Sequence, residues 1–289
     1  MGWLVNFEES LKELLISLIT SMLGELFAMT SDKFSEFTAM IGQTPQTWNP
    51  SIYATIQGLS TSVIVPIANI ILTLVVSLEL FGMLVERNNM VDIEPAFLVK
   101  WIFKAVLSSF VASNAWTITM AVFDLSQSIA ASASGVLGGS LTPFSQTTID
   151  AFTATLENET LGRLVLILLQ SVLSWAILFL ITIGILILLI VRMVEIYLTV
   201  SVAPIPFAAF YGKEWTGGMG ANYLRSLFAL GFQGFFIMIC LAIYTTMMQT
   251  IMNSSDIVGA MWSNIAYSGV LLFAIGKTDR ISKTIFGAH

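Results

Sequence analysis

Six residues combine reactive or chain-breaking chemistry with an apolar setting: Glu79, Arg192, Glu195, Pro204, Pro206 and Trp215. Glu79 lies in an apolar stretch a few residues before Arg87. A carboxylate carried to the middle of a bilayer costs about 2.5–3.5 kcal/mol on insertion scales. Such an acid either faces a pore or proton relay, or sits at the membrane interface or against a neighbouring helix. Arg192 and Glu195 are three residues apart, so on a helix they are neighbours, and the spacing predicts an ion pair. The pair serves as a hinge or gate at a channel mouth, or it ends a membrane span at the headgroups. Ala203-Pro204-Ile205-Pro206-Phe207-Ala208 is predicted to be a broken segment, because two prolines one residue apart deny a helix both hydrogen bonds and geometry. At membrane depth a broken backbone is tolerated only when protein covers it or it lines a wet cavity. The other reading is a kinked helix end, with Trp215 in the loop that follows. Gln57, Asn69, Gln170 and Gln233 add polar groups that usually join helices and only sometimes line a pathway.

The chemistry that is missing narrows the function. The sole histidine is His289, which removes histidine acid–base catalysis, Ser-His-Asp triads and the paired-histidine zinc motif. No glycine-lysine phosphate loop occurs. Asp124 falls at the end of an apolar stretch, and no second aspartate lies at depth to make an aspartyl dyad. No catalytic residue, cofactor or metal is expected. Cys240, the single cysteine, has no partner within the chain and is expected to behave as a small buried hydrophobe.

These residues are carried by elements that lipid must solvate. The chain is 56% hydrophobic and 10% charged, with a mean hydropathy of +0.86. About a quarter of a soluble domain is charged, so this chain cannot supply a polar exterior. The fold class is an all-α integral membrane protein: about five transmembrane helices, one proline-broken segment and an N-terminal amphipathic helix. Spans are predicted at Ile52–Leu84 (with Pro66 as a kink), Trp101–Phe123, Leu164–Val191, Leu224–Met252 and Ile257–Ile275. Leu164–Val191 contains no charge and is the clearest of them.

Residues 3 to 27 repeat apolar side chains in steps of three and four. Their five charges argue for an interfacial helix, or one packed on a partner through Leu11, Leu15, Leu18 and Met22. Ser31 to Pro50 reads as a polar, turn-rich linker. Two domains follow: 1–50, an extracytoplasmic helix with its linker, and 51–289, a polytopic transmembrane domain with a short tail. The start carries two acids and no base before its apolar stretch, so no cleavable leader is expected.

Lys277, Arg280 and Lys283 place the C-terminus in the cytoplasm by the positive-inside rule. If the broken segment does not cross fully, nine bases fall inside and Lys12, Lys33 and Arg163 outside, with the N-terminus outside.

Thr199-Val200-Ser201-Val202-Ala203-Pro204-Ile205-Pro206-Phe207-Ala208, then Trp215, then Leu224-Arg225-Ser226-Leu227-Phe228-Ala229-Leu230, resembles the core of the TrbL/VirB-type polytopic subunit of type IV secretion systems. The similarity spans roughly Leu164–Ile275 and is weaker over Leu72–Phe123. It implies a non-enzymatic bacterial inner-membrane subunit that forms a homo-oligomer and helps pass DNA or protein, with ATPases as separate subunits. Contact with single-stranded DNA would be transient, since no basic groove with stacking aromatics is present. Two other readings are a stand-alone small-solute transporter or channel, and an assembly factor without a conduit. A transporter should show paired broken helices around a polar site, and no internal repeat is detectable.

Overall fold

A computed structural model describes residues 2–86, 95–137, 146–209, 218–252 and 256–288. Among them the chain is helical with no strand: α1 (Gly2–Ile41), α2 (Pro45–Trp48), α3 (Pro50–Leu59), a π-helical turn (Ser60–Ile64), α4 (Val65–Glu86), α5 (Pro95–Ser113), α6 (Ala115–Leu137), α7 (Gln146–Leu156), α8 (Leu161–Ser201), α9 (Pro204–Ala208), α10 (Met219–Met252) and α11 (Ile257–Phe286).

Among the described residues five helices are long and apolar enough to cross a membrane: Phe7–Ile41, Pro50–Gly82, Leu161–Ser201, Met219–Ile251 and Ile257–Phe286. A sixth arises if Val99–Ser113 and Ala115–Ala133, bent by 64° at their junction, act as one span. The number agrees with the sequence reading, but the membership differs. The N-terminal helix joins the set, and the span expected at Trp101–Phe123 is split at Asn114. Ile70 and Phe273, 71% and 73% exposed, are typical of side chains left for lipid.

The chain divides into two compact units. The first comprises residues 1–41, 131–189 and 236–278. Here α1 buries Leu15, Ile19, Leu23, Leu26, Phe34, Phe37 and Ile41, in steps that repeat on one helical face. The face continues past Ser31, so the linker expected from there to Pro50 is helical to Ile41. No glycine or proline interrupts that stretch, and Phe34, Phe37 and Ile41 keep the spacing. α1 packs on α7, where Lys12 Nζ donates to the Glu157 carbonyl at 2.6 Å and Thr20 and Thr153 share a hydroxyl contact at 3.3 Å. Inside this unit, Tyr244 stacks on Phe34 and its hydroxyl meets Ser268 Oγ at 3.1 Å; Ser268 in turn bonds Asn264 Oδ1 at 3.3 Å. Cys240, expected to be a small buried hydrophobe, is free and partly buried.

The second unit comprises residues 42–130, 190–235 and 279–289. Two short helices open it. Thr44 and Thr47 form a reciprocal cap on α2, and Asn49 Oδ1 accepts from the Ile52 amide at 3.0 Å to start α3; a proline fills the first position of each. Tyr197 Oη donates to the Pro45 carbonyl at 2.5 Å, and Trp116 Nε1 to Tyr53 Oη at 2.9 Å. The main core gathers Trp116, Met120 and Phe123 with Met193, Ile196, Val200, Leu227 and Leu230. The tail expected after Ile275 is helical to Phe286. Gly287, at φ +61°, ends it: its amide bonds the Thr284 carbonyl and Ala288 reaches back to Lys283.

The split character of α1 yields a direct test. Leu15 is 7% exposed and Leu11 39%. Leu15→Ala is expected to cost about 2–4 kcal/mol, against under about 0.5 kcal/mol for Leu11→Ala. Thermal unfolding in detergent micelles measures both. Equal effects would remove the distinction between the two sides of the helix.

Candidate functional site

The prolines act first on hydrogen bonds. A continuing helix would use the amides of positions 204 and 206 to bond the carbonyls of Val200 and Val202, and proline has no amide hydrogen to give. The chain tightens instead: the Ala203 amide takes the Val200 carbonyl and the Ile205 amide the Val202 carbonyl, each at 3.1 Å. Two further carbonyls at the end of α8 find hydroxyls. Ser201 Oγ donates to Leu198 at 2.8 Å, and Tyr223 Oη, from α10, donates to Thr199 at 3.1 Å. Tyr223 also sets its ring edge-on to Phe207, with centroids 5.6 Å apart. The break is thus a separate short helix, α9, whose Pro204 and Pro206 are buried.

What buries α9 is itself irregular. Pro66 cannot serve the Ser62 carbonyl, and the turn before it widens so that the Val65 amide reaches Ser60, five residues back. Thr61 Oγ1 covers the Gln57 carbonyl at 2.9 Å, and Ser62 Oγ bonds the Gly58 carbonyl. On α5, the bend falls at Asn114, whose Nδ2 donates to the Phe110 carbonyl at 2.8 Å. The π-turn, α4 and α5 all pack on α9. Small side chains make the approach possible: Ala68, Leu72 and Ala112 surround Ala208, while Ala115 lies with Ala203 and Phe207. The broken backbone is thus covered by protein.

Charge is arranged around the last turns of α8. Arg192 is 8% exposed, and its Nε has no hydrogen-bond partner. The end of the guanidinium lies close against α10: a Cβ at Gly234 would stand 2.7 Å from Nη2. The expected Arg192–Glu195 pair is not formed. Glu195 Oε1 is 3.2 Å from Lys283 Nζ, which also lies 2.9 Å from Asp279. The reason is geometric: α11 brings its lysine to Glu195, while Arg192 turns into the glycine gap. Gly231, one turn earlier on α10, gives the same close approach to α6, since a Cβ there would collide with Ser126. Desolvating an ion without a partner costs several kcal/mol, whereas Glu195 and Lys283, each 37% exposed, gain about 0.2–1 kcal/mol from pairing.

Glu79, Arg192, Glu195, Pro204 and Pro206 all fall in the second unit. Arg192 and Glu195 share α8 next to the proline junction. Glu79 is partly buried on α4 and engages a neighbouring group. Trp215, together with Arg87, Lys213 and His289, lies outside the described residues. Gln233 is buried on α10 beside Gly234. Leu11, Leu15, Leu18 and Met22 share one stripe of α1: Leu15, at its edge, is buried, whereas Leu11 and Leu18 are exposed. Sequence reasoning reads Tyr223 only as a helix start, because its acceptor is 24 residues away. The Asp279–Lys283 spacing of four marks an intrahelical pair but gives no sign of Glu195. Among the described residues no cluster of His, Cys, Asp or Glu could hold a metal ion.

Tyr223→Phe keeps the ring against Phe207 and leaves the Thr199 carbonyl bare. A loss of about 1–3 kcal/mol in thermal unfolding is expected. A change below ~0.5 kcal/mol would mean that the hydroxyl does not cap α8.

Comparison with known families matches residues 30–204 to the TrbL/VirB6 plasmid conjugal transfer like protein family. No curated protein and no solved structure matches the chain. The match begins in α1 and ends at Pro204, the first proline of the junction. It therefore lies further toward the N-terminus than the resemblance read over Leu164–Ile275, and it covers more than half of the chain. Conjugal transfer by a type IV secretion machine is the process this family serves, and the apolar helices make the chain a multi-pass bacterial membrane protein. With more than half of the chain matched, including the candidate spans Pro50–Gly82 and Leu161–Ser201, the chain belongs to the TrbL/VirB6 conjugal transfer family.

Proposed function

We propose that this subunit is a channel or scaffold component of a conjugative type IV secretion machine, acting as a homo-oligomer that helps DNA or protein cross the inner membrane. The observation that carries this reading is the family match over residues 30–204. Energy comes from separate ATPase subunits, and the chain itself performs no catalysis. Its contact with single-stranded DNA is transient, because the formal net charge of −6 offers no general attraction for phosphate. Its role is mechanical: rigid helices carry an internally satisfied junction, and the other subunits dock on them. A solute transporter would turn paired broken helices toward a polar substrate site. The three irregular points here pack through alanines instead, which supports a structural part over a solute-binding one.

Two experiments test the proposal. In a donor cell carrying the cognate transfer machine, deletion of this subunit is expected to reduce transfer to background, with full rescue by the wild-type chain and unchanged ATP hydrolysis by the purified ATPases. Undiminished transfer would overturn the role. Orientation is tested with single cysteines at Asn158 and Thr284, both exposed, in a Cys240→Ser background. An impermeant thiol reagent should reach position 158 from outside intact cells and position 284 only after lysis, as expected for an outside N-terminus and a cytoplasmic C-terminus. Labelling of both from one side would overturn that orientation.

A further inference from the structure

Arg192, Glu195, Asp279 and Lys283 form a balanced set of two cations and two anions, shared unevenly. Lys283 holds both carboxylates, at 3.2 Å from Glu195 and 2.9 Å from Asp279. Arg192 holds neither, although it is one turn from Glu195 on the same helix and is the most buried charge of the four. A second pairing is available in which every charge has one partner: Arg192 with Glu195, and Lys283 with Asp279. Both bonds are short in sequence, at spacings of three and four, so neither requires a helix to rebuild. Only the guanidinium must swing out of the Gly234 gap, and Glu195 must release Lys283.

From this geometry we propose a charge-exchange switch: Lys283 on α11 and Arg192 on α8 compete for Glu195. In the arrangement seen, Lys283 wins, Glu195 ties α11 to α8, and Arg192 is wedged against α10. In the other, Glu195 turns to Arg192, the tie to α11 is released, and the gap at Gly234 empties. The exposure of the Glu195–Lys283 pair makes it easily broken, and the buried, unpartnered Arg192 Nε supplies the demand for an exchange. The remaining grip of α11 in this unit comes from Ser282 Oγ, which donates to the Ala229 carbonyl at 2.5 Å, and from Phe286 against Phe228 and Phe232. These keep the helix end docked while the charges exchange. The switch is a property of the fold and stands apart from the transfer role, so a null transfer phenotype does not bear on it.

A double-mutant cycle between Arg192→Met and Glu195→Gln, read as thermal unfolding of the full chain in lipid nanodiscs, tests it. In the wild-type background the two shifts should add, because the residues are not paired. In a Lys283→Met background Glu195 is free to turn, and the cycle should show a coupling of a few degrees. Arg192→Met should also change sign, from neutral or stabilising in the first background to destabilising in the second. Gly234→Ala, which fills the gap and displaces only the mobile end of Arg192, should produce the same coupling with Lys283 intact. It serves as the independent route if Lys283→Met does not fold. Asp279→Asn, which leaves Lys283 wholly to Glu195, should keep the coupling at zero. Equal coupling in the wild-type and Lys283→Met or Gly234→Ala backgrounds, or no coupling in any of them, would overturn the switch.

Discussion

Hydrocarbon offers no hydrogen bonds, and an amide or carbonyl left bare in it costs several kcal/mol. A helix meets that demand by itself; each place where a helix stops must meet it some other way. This chain stops or distorts helices at Pro66, at Asn114 and at the Pro204–Pro206 pair, and all three sites belong to the same unit. Hydroxyls, a tightened turn and one tyrosine from another helix cover the exposed carbonyls. The alanines around α9 then let the repaired segments approach one another closely. Remove that local bookkeeping of donors and acceptors and neither the short helix nor the bend could exist in lipid.

Charge obeys the same scarcity. With so few ionised groups, the placing of each buried one carries weight. Lysines and arginines that expose their heads need little explanation. Arg192 does, since its head is buried and sits in the space a side chain at Gly234 would fill. Gly231 and Gly234 thus serve packing rather than flexibility: the missing side chains are where α6 and α8 press onto α10.

Much of this was legible beforehand. Hydropathy finds the long helices, because lipid selects apolar runs irrespective of their contacts, and two nearby prolines announce a break with no knowledge of the fold. The environment of the break was not legible, because it depends on Tyr223, Ala68 and Ala112, which are distant in sequence and chemically unremarkable. The length of α1 was hidden for a related reason. Its charges at Glu8, Glu9, Lys12 and Glu13 crowd the first turns, yet Ile19 to Ile41 continue as a buried apolar face. Charge counting over a short window weighs the charged end and does not reveal how far the helix runs. The Arg192–Glu195 pairing failed because spacing along one helix cannot reveal a competitor on another.

One consequence concerns α8. Its charge-free run from Leu164 to Val191 contains 28 residues and measures about 42 Å, against hydrocarbon about 30 Å thick. A rod of that length fits by leaning roughly 45° from the normal, by carrying apolar turns into the headgroups, or by thickening the lipid around it. Each option has an elastic cost that varies with acyl-chain length. Membrane thickness therefore bears on α8 more strongly than on a span of about 20 residues.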